Sequence, residues 1–209
     1  MFEIFTTNVG SHMWKMDHDY SDIDLATVYI QDSKDFLLGK QAKGKQVINE
    51  ETNTDVTYYE LGRVINYLLK GNVNYIWAVM SPIIVNDIGS SLKELRGIVG
   101  SNVAKNCFNS INGMARHNIY HYIEKKGDTS YKRLNVIGRT IQFGINALMW
   151  GKYMFEKTEI ENVKELYDLK EILNNAYNTS ALPEKPDPRL YESYLIKWRI
   201  KRMRKEGFI

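Results

Sequence analysis

Between residues 2 and 59 the apolar positions fall in short runs rich in β-formers, and beyond residue 60 they recur at helical spacing. Phe2, Ile4, Phe5 and Val9 read as a strand or a helix end leading into a Gly10-Ser11 turn. Residues 23–30 alternate well through Ile23, Leu25, Thr27, Val28, Tyr29 and Ile30, which predicts a strand. A Lys/Gly/Gln segment from Leu38 to Gln46 reads as an exposed connection. A strand pair is expected at Gln46–Asn49 and Asp55–Tyr59, joined by the polar turn Glu51-Thr52-Asn53-Thr54. Then Leu61, Val64, Ile65, Leu68 and Leu69 mark one face of a helix that Gly71-Asn72 ends. Asn74 to Met80 starts another, halted by Ser81-Pro82.

From Ser91 onward the pattern predicts helices over 91–98, 101–125, 130–155, 161–177 and 188–205. The run from Leu182 to Pro188 carries three prolines, each restricting the residue before it, and is a loop. With strands in the first third and helices in the rest, the expected class is α+β. It consists of a small mixed β-sheet core with flanking helices, residues 1–95, followed by a helical C-terminal region, residues 96–209.

Composition changes this picture little. Of 209 residues, 44% are hydrophobic and 25% charged, which excludes disorder and fibrous repeats. No stretch approaches the roughly 18–20 apolar residues that span a bilayer, and the first residues lack the pattern of a signal peptide. A single cysteine, Cys107, excludes an intrachain disulfide and a cysteine-based zinc cluster. That usage fits a reducing cytoplasm, and Cys107 beside Phe108 on a helix reads as a buried, inert thiol. The net charge of +3 does not by itself indicate a nucleic-acid binder, although the charge is unevenly spread.

The informative segment runs from Gly10 to Leu25. In a strand, residues two apart share a face, so Asp22 and Asp24 project together while Ile23 and Leu25 point to the opposite, buried face. Two adjacent carboxylates repel unless a cation sits between them, and hard oxygen ligands of this kind suit Mg²⁺. Gly10-Ser11 supplies a turn with exposed N–H groups and a hydroxyl donor, suited to a triphosphate. Asp55, at the start of a second alternating run, would complete a set of three carboxylates if its strand lay beside the first. An Asp-x-Asp alone is most often a solvated strand edge; the Gly-Ser and the later Asp make the pattern specific.

Gly-Ser, a spacer, Ser21-Asp22-Ile23-Asp24 and a third Asp together resemble the signature of the DNA polymerase β-like nucleotidyltransferase superfamily. The run Asp55–Leu61, the run Leu68–Asn74 and the Lys132–Arg139 segment with Val136-Ile137-Gly138 are similar to its predicted RNA-repair branch, RlaP. The resemblance implies that Asp22 and Asp24 hold two metal ions, Mg²⁺ or Mn²⁺, that Asp55 helps hold the catalytic one, and that the chain moves a nucleoside monophosphate from an NTP onto an acceptor hydroxyl. It implies nucleotide contacts from Gly10, Ser11 and Ser21, and an RNA end as acceptor. Protein or small-molecule nucleotidylation, or an inactive binding relative, is the alternative. Many members have a small residue and a Gly shortly after the Gly-Ser; this chain has Met13 and Lys15, and Lys15 is a further phosphate candidate.

Other residues carry weaker signals. Lys132 and Arg139, seven apart on one helix, could clamp a triphosphate or be ordinary surface charge. Arg116 is a lesser candidate of the same kind. His117 and His121 share a helix face but lack further zinc ligands nearby, so they read as surface or packing residues; His12 and His18, inside the motif loop, could touch phosphate or be solvated loop residues. The run Lys197, Arg199, Lys201, Arg202, Arg204 and Lys205, with Tyr194 and Trp198, could hold RNA or simply complement a helix C-terminus.

Overall fold

The structure is a computed structural model that describes residues 2–18, 21–42 and 44–209. Among these the chain forms two compact units, one of residues 1–69, 74–101 and 187–209, the other of residues 70–73 and 102–186.

The first unit is built on five strands: β1 (Phe2–Val9), β2 (Ile23–Ile30), β3 (Lys45–Asn49), β4 (Thr54–Glu60) and β5 (Ile84–Asp87). Their order is β3-β4-β2-β1-β5, with β2 and β4 parallel and the other pairs antiparallel, so the sheet is mixed as expected. β1 and β2 are central and bury continuous runs, Ile4 to Asn8 and Ala26 to Ile30. Strands covered on both faces lose the simple alternation of a half-exposed strand. The N-terminal mouth of β2 differs from expectation: Ile23 is 38% exposed and Leu25 only half-buried, because the covering elements reach the sheet from Ala26 onward.

The helices of this unit are α1 (Ser33–Leu37), α2 (Leu61–Leu69), α3 (Val73–Met80, whose first residue belongs to the second unit), α4 (Ser91–Ser101) and α8 (Pro188–Lys205). α2 buries Leu61, Val64, Ile65 and Leu68 on one stripe. Its start is capped by the buried Glu60 carboxylate, which accepts from the Gly62 and Arg63 N–H groups at 2.7 and 3.3 Å. α8 starts with Asp187 as N-cap and Pro188 in its first turn, and buries Tyr191, Tyr194 and Trp198. Tyr194 donates to the Ser91 carbonyl at 3.0 Å.

Several cations of the basic C-terminal run have partners within this unit. Arg199 meets Glu60 at 2.5 Å, Lys197 meets Glu94 at 2.7 Å and Arg202 pairs with Asp32 and Glu206. Lys201 lies over the Trp198 ring and Lys205 over Phe2. Trp198 and Tyr194 are core residues with no face left for a base. Arg199 and Arg202 tie the last helix into its unit, whereas Lys197, Lys201, Arg204 and Lys205 remain exposed.

The second unit contains α5 (Cys107–Asn118), a π-helical turn (Ile119–Glu124), α6 (Tyr131–Trp150) and α7 (Val163–Thr179). One helix was expected over 101–125; the chain instead leaves helical geometry between α4 and α5. There Gly71, at φ +67°, packs so closely that a Cβ would lie 2.6 Å from the Cys107 nitrogen. α6 passes α5 and α7 at Gly144, where a Cβ would stand 2.8 Å from both Ile111 and Leu173 side chains. Gly138 likewise faces Ile160, and the buried Asn135 side chain accepts from the Ile160 N–H at 2.8 Å. α6 ends at Gly151, in left-handed geometry at φ +61°, well before the expected 155. Burial pushes the Cys107 thiol up to about 12, which makes it inert as expected. No helix among the described residues is long and apolar enough to cross a membrane.

Candidate active site

The parallel pairing of β2 with β4 sets Asp24 directly beside Asp55. Register partners on adjacent strands point to the same face, so a pairing that the sequence could only anticipate brings the two carboxylates side by side. Both are half-buried. Asp22 stands one residue ahead of β2 and is exposed. The ladder continues past the strand end through the Ile23 N–H, which donates to the Asn53 carbonyl at 2.9 Å.

Gly10 explains the first half of the motif. It follows β1, whose Val9 is the register partner of Asp24. A Cβ on Gly10 would come within 1.9 Å of Asp24 Oδ2, and φ is +71°, a conformation that only glycine adopts without strain. The Gly10→Ala protein should therefore lose stability by about 1–3 kcal/mol, because Asp24 must swing away. Thermal unfolding tests this; a protein as stable as the parent would break the link between Gly10 and Asp24.

Ser11 opens a short 3₁₀ turn, His12–Trp14, and its carbonyl accepts from the Trp14 and Met16 N–H groups at 3.1 and 3.2 Å. Met13 and Trp14 are buried, and Trp14 packs edge-on against Trp77 at 5.6 Å between centroids. Of the two residues that depart from the usual motif, Met13 thus anchors the loop in the core together with Trp14. Lys15 is exposed at φ +56°. The Ser21 hydroxyl accepts from the His18 N–H at 2.8 Å, which leaves its proton to donate. Asp19 and Tyr20 lie outside the described residues. His12 approaches Asp17 at 3.9 Å.

A residue that sequence reasoning missed is Gln46 on β3, whose side-chain amide donates to Asp55 Oδ2 at 2.6 Å. The other oxygen, Oδ1, is buried with no hydrogen-bond partner in the structure. A buried acceptor without a donor is costly and fits a position meant for a cation or a reacting hydroxyl. Among the described residues no three His, Cys, Asp or Glu side chains are grouped closely enough to hold a metal ion. Asp24 and Asp55 are adjacent on the sheet, but the set of three carboxylates is not closed. Hard, anionic oxygens with one uncompensated acceptor have the donor chemistry that Mg²⁺ or Mn²⁺ takes.

Lys132 and Arg139 belong to the second unit, on α6, the first exposed and the second half-buried. His117 and His121 lie in that unit too, with parallel rings 5.8 Å apart.

A family model described as RlaP, the RNA repair pathway DNA polymerase beta family, matches residues 3–185. No curated protein matches the chain.

Proposed function

This chain belongs to the RlaP family, and on that premise we propose that it transfers a nucleoside monophosphate from an NTP to a hydroxyl at an RNA end. The observation that carries the reading is the pairing of Asp24 with Asp55 across parallel strands, with Gly10 packed against Asp24. Family membership supports nucleotidyltransferase chemistry in RNA repair; the acceptor, the metal and the residue roles are our own assignment.

In this reading Asp24 and Asp55, joined by Asp22, hold Mg²⁺ or Mn²⁺, two ions per site, which when bound would neutralise triphosphate charge and lower the pKa of the acceptor hydroxyl. Asp55 Oδ1 takes the acceptor proton. The hydroxyl oxygen then forms a bond to the α-phosphorus as the bond to the β-phosphate bridging oxygen breaks, and pyrophosphate leaves. Gln46 fixes Asp55 through its other oxygen, so the free oxygen faces the reaction in one orientation. Gly10 holds Asp24 in place, while the Ser11 and Ser21 hydroxyls and Lys15 are assigned to the phosphates. The single, buried cysteine supports our placing the chain in the cytoplasm.

The test is a transfer assay with α-³²P-labelled NTPs, Mg²⁺ or Mn²⁺ and a pool of small RNAs, with a chelator control. Label should move to RNA only when metal is present. Label that reaches added protein or a small molecule instead would reassign the acceptor, and metal-independent or absent transfer would end the reading.

A further inference from the structure

The second unit carries a groove of about 550 Å³ lined by Arg116, His117, Tyr120, Glu124 and Lys170 among others. Its floor is the point where α5 changes character. The Lys125 N–H donates to the Tyr120 carbonyl five residues back, at 2.9 Å, which makes 119–124 a π-helical turn. Such turns insert one extra residue, re-aim the side chains around them and occur often at functional sites.

Three features of the groove belong together. Its cations are accessible: Arg116 is exposed and Lys170 is half-buried. Its one lining carboxylate, Glu124, already accepts from the Tyr167 hydroxyl at 2.8 Å. And Tyr120, which lines the groove, is 60% exposed. The neighbouring chain is also positive. His121 sits below its ordinary pKa, first through desolvation and then through Lys126, His117, Lys125 and Arg133. An uncovered aromatic face beside accessible cations is the combination that binds single strands, with bases stacking on the ring and phosphates meeting the charges. An acidic protein would use the cations but has no need of the ring.

We propose that this groove docks single-stranded RNA, its phosphates facing Arg116 and Lys170 and one base stacked on Tyr120. The proposal rests on the RNA-end reading above and assigns the holding of RNA to the second unit's own surface.

The experiment measures binding of a short fluorescein-labelled single-stranded RNA to the full chain by anisotropy over a range of salt. The parent protein should bind with a salt dependence that steepens with the number of phosphates neutralised. In Arg116→Ala/Lys170→Ala the slope should fall by about 1.4, roughly 0.7 for each single-strand phosphate that no longer meets a cation. Tyr120→Ala should weaken binding about tenfold while Tyr120→Phe, which keeps the ring, binds like the parent. Circular dichroism confirms that each variant is folded, as their exposure implies. Unchanged affinity and slope in the double variant, or Tyr120→Phe failing like Tyr120→Ala, would overturn the proposal. So would displacement of RNA by polyglutamate as effectively, charge for charge, as by unlabelled RNA, which would assign the groove to acidic proteins. The two readings fail separately. RNA transfer that persists in the groove variants removes the docking site alone, and groove-dependent RNA binding without any transfer removes the enzymatic reading alone.

Discussion

Replacing Asp24 by asparagine is expected to lower nucleotide transfer by about 10³-fold or more, with the thermal midpoint within a few degrees of the parent. The substitution is nearly isosteric, so the packing against Gly10 survives in shape, but it removes the charge beside Asp55. A divalent ion held by one carboxylate fewer loses several kcal/mol of stabilisation at the reacting phosphate, and each ~1.4 kcal/mol is a factor of ten in rate. Asp55→Asn should be equally damaging, since it removes the acceptor assigned to the hydroxyl proton. Asp22→Asn, at the exposed strand mouth, should abolish transfer as well if Asp22 closes the metal site on binding. The measurement is initial rate against Mg²⁺ concentration for all three variants. Transfer at parental rates in Asp24→Asn would sink the assignment of the site.

Glu60→Ala should have the largest effect on stability, a loss of about 3–5 kcal/mol measured as a shift in the denaturant midpoint. Glu60 and Arg199 are 8% and 11% exposed at the side chain and meet at 2.5 Å. Removing the acid leaves a guanidinium buried without its counter-charge, in a position where Nε and Nη1 already lack hydrogen-bond partners. It also strips the cap from the start of α2 and frees the Gln31 N–H, which reaches Glu60 Oε1 at 3.5 Å. Glu60→Gln, which keeps the shape and some of the hydrogen bonds, should cost less. The double variant Glu60→Met/Arg199→Leu should recover much of the loss, because an apolar pair needs no desolvation of charge. A cost below about 1 kcal/mol for Glu60→Ala would show that the pair is not what holds α8 to the sheet.

Much of this was legible in the residues. β2 and β4 announced themselves through β-branched and aromatic runs, and α2 through apolar residues at positions 61, 64, 65 and 68. α8 was bounded by its N-terminal proline. The elements that went unseen are the weakest by local signal. α1 has five residues and β5 four, too short for a period to register, and β5 exposes Ile84 and Val85. The helix expected over 101–125 began too early because no local breaker marks residues 102–106; the close approach of Gly71 to Cys107 is a non-local event. At the site, Gly10, Ser11, Asp22, Asp24 and Asp55 could be picked out from type and spacing. Gln46 could not, since an amide on an exposed strand looks like any other.

The sequence by itself determined the α+β class, the family and the choice of chemical groups, because periodicity and residue type are local properties carried by the chain. Only the tertiary structure decided which groups meet. It paired Asp24 with Asp55 through a parallel register, and it revealed that Gly10 is a glycine because the Asp24 carboxylate occupies the space of its Cβ. It also drew Arg199 and Arg202 of the basic end inward onto Glu60 and Asp32, and it set Arg116 and Lys170 beside an exposed ring at a π-helical turn. Charge in a sequence has a sign but no direction; burial and the positions of distant partners give it one.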